Sequence, residues 1–224
     1  MTVLRTISFV PCLIVIGASL AGAQQTRPAT TTTLERGYMT ASAGAAFGDQ
    51  RSPTFGLEIG ERMGRRAQAY VAFTYFDDLF SDRAASDLVD LANYLERVTG
   101  TPYEFTGRDR GLAFSGGARY LISRGPTFRP YVGGGPGILN IQRTITDRML
   151  GDVTDPVIGL YGAPDGAADR SKISSFKPTA EFLAGIGIAA GRTYVDVGYR
   201  YRKVLRTADA FDFSQVNVGV GMRF

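Results

Sequence analysis

Histidine is missing from all 224 residues, and so is tryptophan. Without histidine there is no Ser-His-Asp or Cys-His nucleophile, and the commonest metal ligand is gone. The single cysteine, Cys12, sits in a stretch that reads as a leader, so the rest of the chain has no disulfide and no thiolate chemistry. Past that stretch no apolar run approaches the ~20 residues that a membrane-crossing helix needs. An excess of one charge is lacking too. The 25 Lys and Arg stand against 21 Asp and Glu, whereas a nucleic-acid binder needs a clustered positive surface.

The leader reads MTVLRTISFVPCLIVIGASLAGAQQ. Arg5 supplies a positive start, Ile7 to Leu20 is largely apolar, and Ala21-Gly22-Ala23 is a small-residue cleavage site. The pattern predicts a signal peptide over residues 1–23, a periplasmic segment over 24–36 and one domain over 37–224. An uncleaved anchor is disfavoured because the apolar run is too short to span. The site after Ala23 and the Val10-Pro11 context also argue against a lipid-modified Cys12.

What the chain does have is 28 glycines, 11 tyrosines, 14 phenylalanines and eight segments of apolar/polar alternation. One face carries Met39, Ala41, Ala43, Ala45 and Phe47; then Phe55, Leu57 and Ile59; then Val71, Phe73 and Tyr75. It continues with Leu112, Phe114, Ala118 and Tyr120, and with Phe128, Pro130 and Val132. Phe182, Ala184, Ile186 and Ile188, then Val195, Val197, Tyr199 and Tyr201, and finally Val216 to Phe224 complete the set. Such alternation is the mark of half-buried strands. In the fifth segment the apolar phase moves by one, to Leu139 and Ile141, and a β-bulge near Pro136-Gly137 is expected to absorb the shift.

The links between segments alternate in length. MGRRA, SRGPT and AGR are short, whereas about thirty residues separate Asp77 from Arg108 and Thr144 from Ser175. GDQRSP and RTADAFDFS are intermediate. Short turns on one side and long loops on the other fit an all-β, eight-stranded antiparallel transmembrane up-and-down barrel, with periplasmic turns, extracellular loops and both termini periplasmic. A soluble barrel would turn its apolar face inward, and the polar face decides between the two. It mixes many glycines with Glu58, Arg119, Arg129, Glu181, Asp196, Arg200, Arg202 and Arg223. Small and large residues side by side suit a cramped lumen, and arginine on a lipid face costs ~2–4 kcal/mol at mid-membrane. These eight charged residues are the expected lumen network. Tyr75, Tyr120, Tyr199 and Tyr201 suit interfacial girdles.

With the leader, FRPYVGGGPGI (Phe128 to Ile138), VDVGYRYRK (Val195 to Lys203) and GVGMRF (Gly219 to Phe224), the chain resembles the small outer-membrane barrels of the OmpA, OmpX, OmpW and opacity-protein type. The resemblance covers about residues 37–224 and implies location in the outer membrane. It also implies contact with the barrel-assembly machinery and periplasmic chaperones, with Val220, Met222 and Phe224 carrying the C-terminal assembly signal. Ending at Phe224, the chain is expected to have no peptidoglycan-binding domain.

Chemistry is expected to be absent: no catalytic residue, cofactor or metal. GGGPG has no following Gly-Lys-Ser/Thr, and Glu58, Glu181 and Asp196 lie among arginines as salt-bridge partners would. In the long second loop Leu88, Leu91, Leu95 and Val98 recur at helical spacing, with Ser86 as the expected N-cap and Gly100 as the stop. That helix is either a cover on the barrel mouth or a contact surface for an extracellular partner. Lys177, Lys203 and Arg206 are expected at the outer rim, against lipopolysaccharide phosphates. A structural or interaction role with a filled lumen is the first reading. A narrow porin-like channel for ions, small solutes or apolar solutes is the alternative.

Overall fold

In a computed structural model, which describes residues 36–48, 50–123, 127–148, 151–153, 174–205 and 211–224, the alternating segments are strands. The predicted signal peptide and all of the 24–36 segment except Arg36 lie outside the described residues. In chain order come β1 (Gly37–Phe47), β2 (Arg51–Arg62), β3 (Ala67–Phe76), helix α1 (Asp82–Thr99), β4 (Phe105–Leu121) and β5 (Phe128–Asp147). The two-residue β6 (Gly151–Asp152) is followed by β7 (Ser174–Ala190), β8 (Thr193–Val204) and β9 (Asp212–Arg223).

Each barrel strand pairs antiparallel with its neighbours, and β9 returns to β1, with Tyr38 opposite Arg223 and Phe47 opposite Ser214. β6 is a spur on the tip of β5, so the closed ring has eight strands. At the seam the Phe224 N–H donates to Gly37 O at 3.0 Å, and Phe224 O accepts from the N–H groups of Arg36 and Gly37 at 2.9 Å. Closure leaves no edge, the condition for a sheet in lipid.

The predicted facing holds on every strand except the loop-end half of β5. Phe55, Leu57, Ile59, Val71, Phe114, Phe182, Val218 and Val220 are exposed on the outside, while Thr40, Glu58, Thr74, Arg119, Glu181, Asp196 and Asn217 are buried inside. Aromatics bound the apolar belt. Near the turn end Tyr120 accepts from Arg66 Nη1 at 3.0 Å. Near the loop end the Tyr75 and Tyr201 hydroxyls donate to Asp77 at 3.2 Å and Asp212 at 2.9 Å.

Two expectations need correction. No bulge forms at Pro136-Gly137: the β4–β5 and β5–β7 registers are the same on either side, and the β4–β5 ladder merely lapses where Gly116 and Gly117 face Pro136 and Gly135. The switch of phase is a change of surroundings. Beyond Ile138 the outer face turns polar, with Gln142, Thr144 and Thr146 exposed, while Leu139, Ile141 and Ile145 are buried inside. β4, β5 and β7 run 17, 20 and 17 residues, where ~9–11 suffice to cross, so their loop-end halves stand clear of lipid and pack like a soluble protein.

The helix also begins earlier than expected. Ser81, not Ser86, is the N-cap, in extended conformation, its Oγ accepting from Ala84 N at 3.2 Å. Asp82 sits in the first turn, where the helix dipole favours an acid, and Ala84 and Ala85 are good formers, so nothing holds the start back to Ser86. Gly100 ends the helix as predicted, at φ 71°, its N–H donating to Glu96 O at 2.8 Å. Ala92 and Leu95 are buried and Leu88 and Leu91 half-buried, but Val98 is exposed.

Candidate functional site

The inner positions of β2, β4, β7 and β8 point four strands' worth of charge at one another. Glu58 Oε1 accepts from Arg119 Nη1 at 3.1 Å and from the Tyr38 hydroxyl at 2.7 Å, and its other oxygen pairs with Arg200 Nη2. Arg200 Nη1 reaches Glu181 Oε1 at 3.0 Å, and Arg202 Nη2 reaches Glu181 Oε2 at 2.6 Å. The result is a continuous chain, Arg119–Glu58–Arg200–Glu181–Arg202, across the middle of the lumen. Such groups are tolerated away from water only when paired and hydrogen-bonded in this way.

Tyrosines complete the pairing. Tyr70 donates to Glu181 Oε1 at 2.9 Å, Ser115 to Glu181 Oε2 at 3.2 Å, and Tyr131 to Asp196 Oδ2 at 2.8 Å. The Arg119 guanidinium lies over the Tyr38 and Tyr131 rings, 3.9 and 4.7 Å from their centroids, which adds cation–π attraction in a desolvated place. Of the eight expected lumen residues, Glu58, Arg119, Glu181, Arg200 and Arg202 form the chain, and Asp196 lies beside it. Arg129 and Arg223 sit half-buried on the inner phase at the turn end, where Arg223 Nη2 donates to Gly191 O at 2.6 Å. The signal in the sequence for the tyrosine partners is phase alone: Tyr70 and Tyr131 share the polar phase with the charged residues.

Above this chain lies an apolar layer. Phe76, Leu139 and Val204 are 0% exposed and join Ala46, Ala113, Ile141 and Phe213, with Leu79 and Phe211 against them. The Phe76 and Phe213 rings meet edge to face at 5.2 Å. The strap between β3 and α1 crosses over β4 at this height. Leu79 N donates to Asp109 O at 2.7 Å, and Asp78 Oδ1 accepts from Phe80 N at 2.9 Å and Asp109 N at 3.1 Å. Side chains at Gly107 and Gly111 would run into Phe80 and Leu79, so β4 keeps glycine where the strap crosses. Arg143 grips Asp109 with two hydrogen bonds, at 2.8 and 2.7 Å, and its guanidinium lies 5.2 Å from the Phe80 centroid.

Outside, at the rim, Arg108 pairs with Asp77, and this bond holds the Asp77 carboxyl below the usual carboxylate range. Of the cations expected there, Lys203 is exposed on the outer face. Lys177 lies at the loop end of β7 but on its inner phase, with Thr179 and Glu181, half-buried, its ammonium 5.8 Å from the Phe211 ring centroid. Arg206 lies outside the described residues. Among the described residues no group of three or more His, Cys, Asp or Glu gathers as metal ligands would.

The family described as outer membrane protein beta-barrel domain matches residues 9–224. Among solved structures, neisserial surface protein A is similar at 13% identity and a TM-score of 0.51, over 84% of this chain and 96% of that one. The attachment invasion locus protein Ail of Yersinia pestis is similar at 12% identity and a TM-score of 0.47, over 84% and 97%. The N-terminal barrel domain of Pseudomonas aeruginosa OprF follows at 12% and 0.46, over 83% and 97%. No curated protein sequence matches the chain.

Proposed function

Because the chain belongs to the family of outer membrane protein beta-barrel domains, we propose that it is a sealed, non-catalytic barrel that acts through the structured surface raised on its loop end. The filling of the lumen carries this reading: an ion-pair chain at mid-height and, over it, a layer of side chains shut from solvent. Eight strands leave an interior just wide enough for such filling. The lumen carboxylates Glu58 and Glu181 are engaged by arginines and tyrosines rather than turned towards a substrate, which supports a role other than catalysis. Material has gone instead into the tall β4, β5 and β7 and the capped helix α1, the surface a partner would meet. The test is conductance of the folded chain in a planar bilayer. A silent membrane is the expected result, and stable current steps would make the barrel a pore.

The rim supports contact with phosphorylated lipid of the outer leaflet. Arg110 and Lys203 are exposed on the outer face, each one outward step above the apolar belt, beyond Leu112 and Tyr201. Replacing both with alanine is expected to reduce lipopolysaccharide retained by the purified barrel several-fold; equal retention would reject the contact.

A further inference from the structure

Buried polar atoms that make no hydrogen bond within a protein are held by water or destabilise it. Among the described residues these include Thr179 Oγ1 on β7, Asp196 Oδ1, Arg202 Nε and Arg202 Nη1 on β8, and Gln215 Oε1 and Asn217 Oδ1 on β9. All lie on three consecutive strands. On the opposite wall the inner polar groups Thr40, Glu58, Ser115 and Arg119 have protein partners.

The register stacks the unsatisfied groups into one column. Asp196 is level with Gly187, Asn217 with Gly198, Gln215 with Arg200, and Arg202 with Glu181, next to Thr179. Successive inner side chains of a strand stand ~7 Å apart, too far for a direct hydrogen bond and right for a bridging water. At the lower end of the column, beside Gly187, there is room as well. A methyl built on Gly187 would meet nothing nearer than 3.8 Å, and one atom at that distance is Asp196 Oδ1. A space the size of a methyl, and so of a water, therefore adjoins an unsatisfied carboxylate oxygen.

The column presents donors at Arg202 and acceptors at Asp196, Gln215 and Asn217. An ion of either sign would satisfy half of them; water, which donates and accepts, satisfies all. We propose that the β7–β9 wall carries a file of bound water from Asp196 up to Arg202, ending blind beneath Phe76, Leu139, Val204 and Phe213. The apolar layer, not the ion-pair chain, is then the seal of the barrel.

Gly187→Ala tests the file by sign. In a dry wall the methyl fits and removes a strand glycine, so the urea midpoint of unfolding in lipid vesicles rises. If water fills the space, the methyl expels it, Asp196 is left unsatisfied, and the midpoint falls. A fall is expected; an unchanged or raised midpoint overturns the file. The seal is tested by proton flux into dye-loaded vesicles, folding being checked by heat-shifted gel mobility. Leu139→Ala with Phe213→Ala is expected to raise flux several-fold over the unsubstituted barrel, and adding Gln215→Leu to return it towards baseline. A folded double variant that stays tight overturns the seal, and flux indifferent to Gln215→Leu overturns the path. Current through the unsubstituted barrel would instead reject the sealed-barrel function, so the two failures are distinguishable.

Discussion

Glu58 holds Arg119 and Arg200 at once, and both guanidiniums are largely buried. Truncating it leaves two cations in the lumen short of their main partner, which for buried pairs costs ~3–5 kcal/mol. Glu58→Ala is therefore expected to lower the unfolding free energy in vesicles by about that amount. A loss under ~1 kcal/mol, the range of solvated surface pairs, would mean the chain of charges is wet. Glu58 was legible as a lumen residue from its phase on β2. Its partners were not, since Arg200 is 142 residues away in sequence and Arg119 is 61. Alternation states a face, never which residue stands across the lumen.

At the scale of elements, α1 shows how a local signal can be read correctly in kind and wrongly in place. Two serines precede the leucine repeat, and either is a legitimate N-cap. Ser81 wins because the strap before it is tied to Ser52 and Asp109 through Asp78, with Asp78 N donating to Ser52 Oγ at 2.9 Å. That anchoring delivers the chain in extended form to Ser81. Ser81→Ala is expected to cost ~1 kcal/mol locally. Hydrogen exchange should read it as faster amides in the first turn of α1, with the barrel midpoint unchanged, whereas a matching loss after Ser86→Ala would return the cap to Ser86. β5 teaches the complementary lesson. Its inner face is polar or glycine-lined in the lumen and apolar above it, so the same phase changes hydropathy without any slip in register.

At the scale of the whole molecule, the closing strand carries the consequences. Val220, Met222 and Phe224 point outward and are more than half exposed, while the Phe224 backbone completes the ladder to Gly37. This outward apolar stripe is the one that the resemblance expects to act in assembly, and its exposure suits contact with lipid. Deleting the phenylalanine is expected to reduce the amount of barrel in the outer membrane while leaving unassisted refolding into vesicles largely intact. An undiminished outer-membrane level would remove Phe224 from the assembly signal.

The sequence by itself determined the strands, their facing except in the loop-end half of β5, and the membrane setting. Period-two patterning assigns every side chain to a face, and one misplaced arginine in lipid costs more than an alternative register recovers. The lumen charges and the C-terminal apolar stripe were readable for the same reason. Only the tertiary structure decided which charges pair and that Leu79 and Phe80 of the strap lie over the glycines of β4. It also decided that Lys177 turns inward and that hydropathy inverts along β5. Each of these depends on what stands across the lumen or outside the wall at a given height. A closed ring sets that by bringing together residues that no sequence window contains.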